Sequence, residues 1–483
     1  MPAPNSPRGR RIMTDRIDAR LIDTINHHQP VRITPAQAGG PIHTRSFFGR
    51  WRTARLIGTG GLLLLFFGTA WLNWNGRQAV LWDLAGRKFH IFGATYWPQD
   101  FILLSALLII AAFGLFFITV LAGRVWCGYA CPQSVWTWMF MWAEKVSEGD
   151  RGQRIKLDAA PWSLQKLVRR AAKHLLWLAI SLATATAFVG YFTPVRELTS
   201  DLLSLELGLG AAFWLACFTL ATYINAGWLR EQICLHMCPY SRFQSVMIDS
   251  DTLTVAYDGA RGENRGPRRK DSLPRETGLG DCIDCTVCVQ VCPTGIDIRD
   301  GLQLNCIGCG ACADACDSIM DKMGYARGLV RYTSERALAG GRTRWLRPRL
   351  LGYAGVLLVM IGALIWALAE RPLLSLNVTR DRGLYTRTVD GDIENSYSLK
   401  IINKAQDSRR LLITLENPGV FHLQGPRALT LQPGEIRDVL LSVSLPASTR
   451  LSEVAPLRFK VVDADDPDNQ VQTQSTFLVP QAL

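Results

Sequence analysis

Histidine is scarce in this chain, at 7 of 483 residues. A quinol-oxidising haem b subunit needs paired histidines inside its apolar segments, because imidazoles supply the axial ligands. Here only His174 falls in such a segment, at its edge. The scarcity therefore argues against a membrane haem. The stretch 370–483 also lacks cysteine and has only His422, so we expect no metal site there.

The N-terminus lacks the short apolar core behind a basic stretch that marks a cleavable signal peptide. Residues 1–54 are polar and arginine-rich, and we expect them to form a loose basic leader. The formal net charge of +12 could suggest nucleic acid. However, the basic residues flank apolar runs, which indicates the membrane surface. We therefore expect a membrane-embedded protein with no nucleic-acid partner.

Five apolar runs are long enough, at about 20 residues each, to cross a bilayer. They cover roughly 55–74, 101–123, 174–193, 207–228 and 350–369. The segments between them alternate between many and few lysines and arginines. The counts are 9 in 1–54, 3 in 75–100, 9 in 124–173, 1 in 194–206 and 17 in 229–349. This alternation predicts a cytosolic N-terminus and an external C-terminus.

Two short cysteine motifs follow the second and fourth runs. They read CGYACP at 127–132 and CLHMCP at 234–239, each preceded by an arginine (Arg124, Arg230) and continued as Cys-Pro-x-Ser. The likeness indicates a repeated two-helix unit. On a helix, cysteines four apart share a face, and the proline would end or bend the helix. Both motifs fall on the cytosolic side, where disulfides are rare.

Three interpretations of these motifs remain open. The thiols could pack helix ends, form a dithiol redox pair, or bind a soft metal such as Cu(I). The second motif adds His236 and Met237 as possible copper ligands. The candidate catalytic and copper-binding residues are thus Cys127, Cys131, Cys234, Cys238, His236 and Met237. The isolated Cys217, in the fourth run, is expected to be a buried small side chain.

A third region, 282–317, carries eight cysteines in two runs typical of bacterial ferredoxins with two [4Fe–4S] clusters. In such pairs the fourth cysteine of each run ligates the other cluster. One cluster is therefore expected on Cys282, Cys285, Cys288 and Cys316, and the other on Cys306, Cys309, Cys312 and Cys292. Structural zinc is the alternative, but zinc sites usually pair Cys-x2-Cys units across a longer insert. Gly308 and Gly310 would allow a sharp turn, and Asp317 replaces the proline found at 293.

Alternating strand patterns separated by turn residues run through 370–483 and predict an immunoglobulin-like β-sandwich. A docking role suits it better than a catalytic one. The expected fold is a five-span helical membrane protein with a cytosolic two-cluster ferredoxin insert and a C-terminal β-sandwich. The expected divisions are 1–54 (leader), 55–249 (four spans and both short motifs), 250–349 (loop with the ferredoxin), 350–369 (fifth span) and 370–483 (sandwich).

Five spans, two Cys-x3-Cys-Pro motifs, an eight-cysteine ferredoxin insert and an outer β-sandwich together resemble the FixG/RdxA/CcoG family. The resemblance covers about 45–483. It implies a bacterial cytoplasmic-membrane accessory protein for assembling cbb-type cytochrome c oxidases, acting as a cupric reductase that supplies Cu(I). It also implies oxidase subunits or copper chaperones as partners of the periplasmic domain. The eight ferredoxin cysteines match the family's cluster ligands, and Cys127, Cys131, Cys234 and Cys238 match its further motifs.

Two other functions stay open beside copper reduction. One is a ferredoxin-type electron-transfer subunit of a quinol-linked respiratory chain, and the other is a non-redox scaffold for oxidase assembly. No motif names the cytosolic electron donor.

Overall fold

The computed structural model describes residues 42–269, 278–383, 385–389, 391–416, 420–446, 449 and 454–479. Most of the expected leader, 1–54, lies outside these ranges. The chain forms two compact units. The first takes in the described parts of 1–66, 110–185 and 209–358, and the second takes in those of 67–109, 186–208 and 359–483.

The helices are numbered in chain order. They are α1 (Arg50–Trp71), α2 (Phe101–Ala122), α3 (Val125–Tyr129), α4 (Pro132–Glu148), α5 (Arg151–Ala159), α6 (Leu164–Val189), α7 (Val195–Ser204), α8 (Leu209–Thr222), α9 (Pro239–Met247), α10 (Gly259–Gly262), α11 (Val287–Gln290), α12 (Ala311–Met323), α13 (Glu335–Leu338) and α14 (Pro348–Ala369). Short 3-10 turns occur at Pro98–Asp100 and Ile298–Asp300, and π-helical segments at Tyr223–Leu229 and Ile233–Met237.

Within the described residues, five helical stretches are long and apolar enough to cross a membrane. They are Arg50–Trp71, Pro98–Ala122, Leu164–Val189, Leu209–Leu229 and Pro348–Ala369. The third begins ten residues before the predicted run, since hydropathy marks only its apolar part. Its charged first turns remain helical because the Ser163 hydroxyl accepts a hydrogen bond from the Lys166 amide and Lys173 pairs with Glu148 at 2.9 Å. Cys217 is exposed on α8, so the expectation that it would be buried was wrong.

The strands are likewise numbered in chain order. They are β1 (Asn73–Trp74), β2 (Arg77–Gln78), β3 (Val80–Asp83), β4 (Lys88–Ile91), β5 (Ala94–Tyr96), β6 (Thr254–Tyr257), β7 (Val330–Thr333), β8 (Leu374–Arg380), β9 (Thr386–Arg387), β10 (Ile393–Asn403), β11 (Arg409–Leu415), β12 (His422–Gln424), β13 (Ala428–Leu431), β14 (Ile436–Leu445), β15 (Val454–Asp463) and β16 (Gln470–Leu478).

The C-terminal strands form two antiparallel sheets. One has the order β12-β14-β10-β8, with β9 also paired to β10, and the other has the order β13-β11-β15-β16. Alternate residues of β10 are buried, as a strand with one face on a core requires. Tyr397 and Phe459 meet in that core with ring centroids 5.0 Å apart. The Tyr397 hydroxyl donates to the Thr476 carbonyl at 2.9 Å, which satisfies its polar end.

The segment between the first two apolar helices contains β1 to β5, which the sequence did not predict. β3, β4 and β5 form a small antiparallel sheet. Just after it, Asp100 pairs with Arg371 at 2.6 Å and with Lys404 at 3.0 Å. These two ion pairs attach the base of the sandwich to the start of the second apolar helix.

The two strands that flank the eight-cysteine region pair with each other. β6 precedes it and β7 follows it, and the two strands pair antiparallel with Val255 opposite Tyr332. Inside it, Asp317 accepts a hydrogen bond from the Gly328 amide at 2.8 Å. The residue that replaces the expected proline therefore anchors the end of the insert. Asp314 is buried and accepts from the amides of Trp51 and Arg52, which caps the first turn of α1.

Candidate functional site

Each short cysteine motif spans a break between two helices. Cys127 lies in α3, the chain becomes extended at Cys131 (φ −62°, ψ 126°), and Pro132 is the first residue of α4. Proline favours that position because its missing N–H is not needed in a first turn. The predicted break at the proline is thus present, and the proline also begins the next helix.

The second motif repeats this arrangement. Cys234 lies in the π-helical segment Ile233–Met237, Cys238 is extended (φ −80°, ψ 109°) and Pro239 begins α9. The Ser241 hydroxyl donates to the carbonyls of Cys234 (2.7 Å) and Cys238 (3.0 Å), which holds the turn. Single π-helical turns are frequent at functional sites.

The structure brings the two motifs together. The Cys127 sulfur contacts the side-chain amide of Gln244, with sulfur to Nε2 at 3.3 Å, and Gln244 lies on α9 after the second motif. Burial raises the pKa of Cys127 to about 11, and the neighbouring thiols of Cys131 and Cys238 add to the rise. Burial raises the pKa of Cys234 to about 12, again with contributions from Cys131 and Cys127. The four thiols are therefore electrostatic neighbours.

This thiol cluster, defined as Cys127, Cys131, Cys234 and Cys238, is not a ready-made site for one ion. Across the described ranges, no three His, Cys, Asp or Glu side chains converge closely enough to hold a single metal ion. His236 and Met237 lie on the exposed side of the second motif, and Met237 is 69% exposed. Their role as copper ligands stays a prediction.

The ferredoxin cysteines surround two separate cavities. One is lined by Cys282, Cys285, Cys288 and Cys316, and the other by Cys292, Cys306, Cys309 and Cys312, with Cys288 between them. Each cavity is lined by the four cysteines that the motif spacing assigns to one cluster, with Cys288 lining both, and the ligand sets stay a prediction. Burial raises the pKa of Cys288, Cys306 and Cys316 to about 12. Thiols this buried hold their protons until a metal replaces them, so the donor sets suit iron–sulfur clusters.

The backbones of the two cluster loops match position by position. Gly308 and Gly310 adopt left-handed conformations (φ 63° and 71°), which confirms the predicted sharp turn. Asp284 and Thr286, at the equivalent places of the first loop, adopt φ 52° and 55°. The Gly308 amide donates to the Cys306 sulfur at 3.4 Å. The sequence hid this symmetry, because residues other than glycine rarely adopt positive φ.

The loop that carries Cys306 and Cys309 packs directly on the first short motif. A methyl group built on Gly128 would lie 2.9 Å from the Cα atom of Cys309 and 2.9 Å from the carbonyl oxygen of Ile307. The Tyr129 hydroxyl reaches the Cys309 carbonyl at 3.4 Å and the Tyr332 hydroxyl at 3.2 Å. A cluster site and the thiol cluster are therefore adjacent.

Arg124 holds this junction together. Its guanidinium donates to the carbonyls of Leu304 and Cys306, the latter at 2.9 Å, and reaches the Ser241 carbonyl at 3.4 Å. It is 8% exposed, and burial lowers its pKa while the Cys306 sulfur opposes that shift. One cation thus touches the cluster loop and the segment after the second motif. From the sequence, Arg124 is identifiable only as the arginine that precedes the first motif. No pattern indicated that Gln244 would contact the thiol cluster.

Comparison with known proteins gives this arrangement a family. The family profile described as "IG-like fold at C-terminal of FixG" matches residues 364–480. A 4Fe-4S dicluster domain matches 229–335, and a 4Fe-4S binding domain matches 104–143. The nitrogen fixation protein FixG of Rhizobium meliloti is 36% identical and covers 97% of each chain. The chain belongs to the FixG/RdxA family.

The chain is also similar to the following relatives and solved structure. Protein RdxA of Cereibacter sphaeroides is 43% identical over 89% of this chain and 94% of its own length. The methylamine utilization ferredoxin-type protein MauN of Paracoccus denitrificans is 27% identical over 40% of this chain and 54% of its own. A crystal structure of a FixG-related protein from Vibrio parahaemolyticus covers 22% of this chain and 95% of that one, at 23% identity and a TM-score of 0.20.

This FixG/RdxA protein is accordingly an iron–sulfur electron-transfer protein of the membrane, with two [4Fe–4S] clusters and a C-terminal Ig-like domain. The profile over 104–143 contains Cys127 and Cys131, which are too few by themselves to hold a four-iron cluster. The thiols of the second motif are electrostatic neighbours of both.

Proposed function

We propose that the chain reduces Cu(II) to Cu(I) at the thiol cluster and supplies the Cu(I) for assembly of a cbb-type cytochrome c oxidase. The observation that carries the proposal is the packing of Gly128 against Cys309, which sets a cluster loop beside the thiols. When bound, [4Fe–4S] clusters supply single electrons. Each cupric ion needs one electron, so donor and acceptor match in number.

The chain's own residues provide the acceptor site. Thiolates and thioethers prefer Cu(I) to Cu(II), so four neighbouring cysteines favour the reduced ion. His236 and Met237 lie on the exposed side and would capture copper before it reaches the thiols. Because the four thiols are not preformed around one ion, copper binding has to draw them together.

The two cavities support one set of four cysteine ligands for each cluster. We assign one cluster to Cys282, Cys285, Cys288 and Cys316, and the other to Cys292, Cys306, Cys309 and Cys312. The second set is the one beside the thiol cluster, so it is the immediate source of the electron.

The distribution of lysine and arginine supports an orientation of the chain in the membrane. Lysine plus arginine number 9, 9 and 17 in 1–54, 124–173 and 229–349, against 3 and 1 in the alternate segments. The five apolar helices therefore form five spans, with the N-terminus and both cysteine regions in the cytosol. The Ig-like domain then lies in the periplasm, where it contacts oxidase subunits or copper chaperones.

The test is anaerobic Cu(II) reduction by the purified full-length protein, followed with a Cu(I)-specific chromogenic chelator. Wild type is compared with the double variant Cys131→Ser, Cys238→Ser and with Cys217→Ser as the matched control. We expect the double variant to lose copper reduction while its iron content and cluster spectrum persist. Undiminished reduction in the double variant would remove the thiol cluster from the reaction.

A second candidate function is favoured by the similarity to MauN, whose name describes a ferredoxin-type protein. In that case the chain passes electrons to or from a quinone. Reoxidation of the reduced clusters by a soluble quinone, with no effect of copper on the cluster spectrum, would support it over copper reduction.

A further inference from the structure

A third cavity, of about 420 Å³, lies beside the second cluster site. It falls within the size range of small-ligand sites. Its wall combines the segment before and within α1, residues 138–145 of α4 and the ferredoxin loops. Pro293 and Ala311 line both this cavity and the one around Cys292, Cys306, Cys309 and Cys312. A ligand here would be separated from the second cluster by the thickness of one residue.

The cavity is strongly basic. Its lining has a single carboxylate, Asp150, against the cations Arg45, Arg52, Arg55, Lys145 and Arg154. Asp150 already accepts hydrogen bonds from the amide and hydroxyl of Ser46, and Arg154 pairs with Glu144 at 2.6 Å. In the part of the chain that the structure describes, none of the other four cations lies within ion-pair distance of a carboxylate, and Lys145 interacts with Asp150 only at longer range. The cavity therefore favours an anion.

Arg55 is the most buried of these four cations. It is 5% exposed, and its guanidinium lies over the ring of Trp138 at 5.1 Å from the centroid. Among the described residues it makes no hydrogen bond or ion pair. A guanidinium that faces the cavity without an anionic partner favours a ligand that brings negative charge.

Aromatic side chains complete the lining. Trp138 and Trp142 from α4 and Phe47 from the preceding segment face the same space as Arg55. Aromatic faces bind planar rings by offset stacking. A ligand that fits carries a planar ring at one end and a compact negative group at the other.

We propose that this cavity binds the electron donor, a phosphate-bearing planar redox carrier of the flavin mononucleotide class. The phosphate pairs with Arg55 and its basic neighbours, and the ring lies against Trp142 in the cavity that Pro293 and Ala311 also line. A quinone lacks the charge that the arginines demand. A nicotinamide gives up a hydride, which a one-electron acceptor cannot take. A reduced flavin loses two electrons singly and two protons, so one flavin is oxidised as two Cu(II) become two Cu(I).

The flavin proposal rests on the proposed function only for its last step, in which the electrons pass from the clusters to Cu(II). Flavin binding and cluster reduction can be measured with no copper present, so the two ideas fail separately. A phosphate group could also come from an anionic phospholipid at the membrane surface, and the experiment has to distinguish the two sources.

The experiment uses the full-length protein with both clusters, in nanodiscs of zwitterionic lipid under argon. Binding of oxidised flavin mononucleotide is measured by fluorescence quenching, and cluster bleaching by reduced flavin mononucleotide is followed by stopped flow. The variants are Arg55→Gln in the cavity and Lys145→Glu at its exposed rim, with Lys156→Gln on α5 as the control. Riboflavin, which lacks the phosphate, and nanodiscs with anionic lipid form the other arms.

We expect saturable flavin mononucleotide binding that weakens at least tenfold in Arg55→Gln and Lys145→Glu and is unchanged in Lys156→Gln. Bleaching by reduced flavin mononucleotide should slow in parallel, while dithionite bleaches all variants equally. Riboflavin should bind at least tenfold more weakly than the phosphate form. Absent flavin binding, equal binding in wild type and both cavity variants, or riboflavin binding as tightly would overturn the proposal. So would an Arg55-dependent association with anionic lipid that excludes the flavin.

Discussion

Gly128 packs so closely against Cys309 that even one added methyl group would overlap the backbone of the cluster loop. The contact joins the first Cys-x3-Cys-Pro motif to the ferredoxin domain through main-chain atoms, which cannot move aside as a flexible side chain can. The distance between the second cluster site and the thiol cluster is thus fixed by backbone packing.

Replacing Gly128 with alanine should push the cluster loop away from the motif. The new Cβ would lie 2.9 Å from the Cys309 Cα atom and the Ile307 carbonyl oxygen. We expect a lower iron content per chain and at least a tenfold slower Cu(II) reduction, measured by iron analysis and the chelator assay. Gly152→Ala is the control, since nothing lies within 4 Å of a Cβ built there. If both variants behaved like wild type, the loop would not be held by this contact.

Arg124→Gln should lower the midpoint potential of the cluster held beside Cys306. Removing a buried positive charge makes the added electron less favourable. An electron paramagnetic resonance redox titration of the full-length protein would show one of the two clusters shifted. Arg299, whose charge acts on Cys288, is the reciprocal case. Arg299→Gln should shift the other cluster, and an equal shift of both clusters in either variant would contradict the assignment.

Gln244→Leu should make the Cys127 thiol less reactive. Burial raises the pKa of Cys127 to about 11, and the hydrogen bond from Gln244 opposes that rise. Without the amide the pKa rises further, so less thiolate is present at any given pH. Iodoacetamide labelling of Cys127 in copper-free protein, followed by mass spectrometry, should slow at pH 8. Its rate profile should move to higher pH, because only the thiolate reacts. An unchanged profile would mean that the amide does not reach the sulfur in solution.

Phe459→Ala should destabilise the Ig-like domain by about 3–5 kcal/mol, because it empties a fully buried ring site. Leu440→Ala, at a side chain that is 76% exposed on the neighbouring sheet, should stay within about 0.5 kcal/mol of wild type. Thermal unfolding of the intact protein, monitored at the domain's own transition, measures both. The cluster spectrum should be unaffected in either variant. A comparable loss in the exposed variant would argue against the buried core.

The sequence predicted the features that follow from local patterns, namely cysteine spacing and hydropathy. Cysteine spacing grouped Cys282, Cys285 and Cys288 with the distant Cys316, and hydropathy located the apolar helices to within a few residues except at 164–173. It could not predict contacts made by the backbone. No sequence pattern indicates that Gly128 packs against Cys309 or that Gln244 contacts Cys127. The turn at Gly308 and Gly310 could be predicted because glycine favours positive φ. The equivalent turn at Asp284 and Thr286 could not, because these residue types rarely adopt positive φ.

The pairing of β6 with β7 means that the iron–sulfur region enters and leaves its host at neighbouring points. A segment whose two ends meet can be gained, lost or exchanged without separating the helices on either side of it. The ferredoxin region is thus an insert whose two ends are joined to the rest of the chain at one pair of neighbouring strands. Gly128 and Arg124 lie on the surface that the insert contacts, so any exchanged insert would have to fit these two residues.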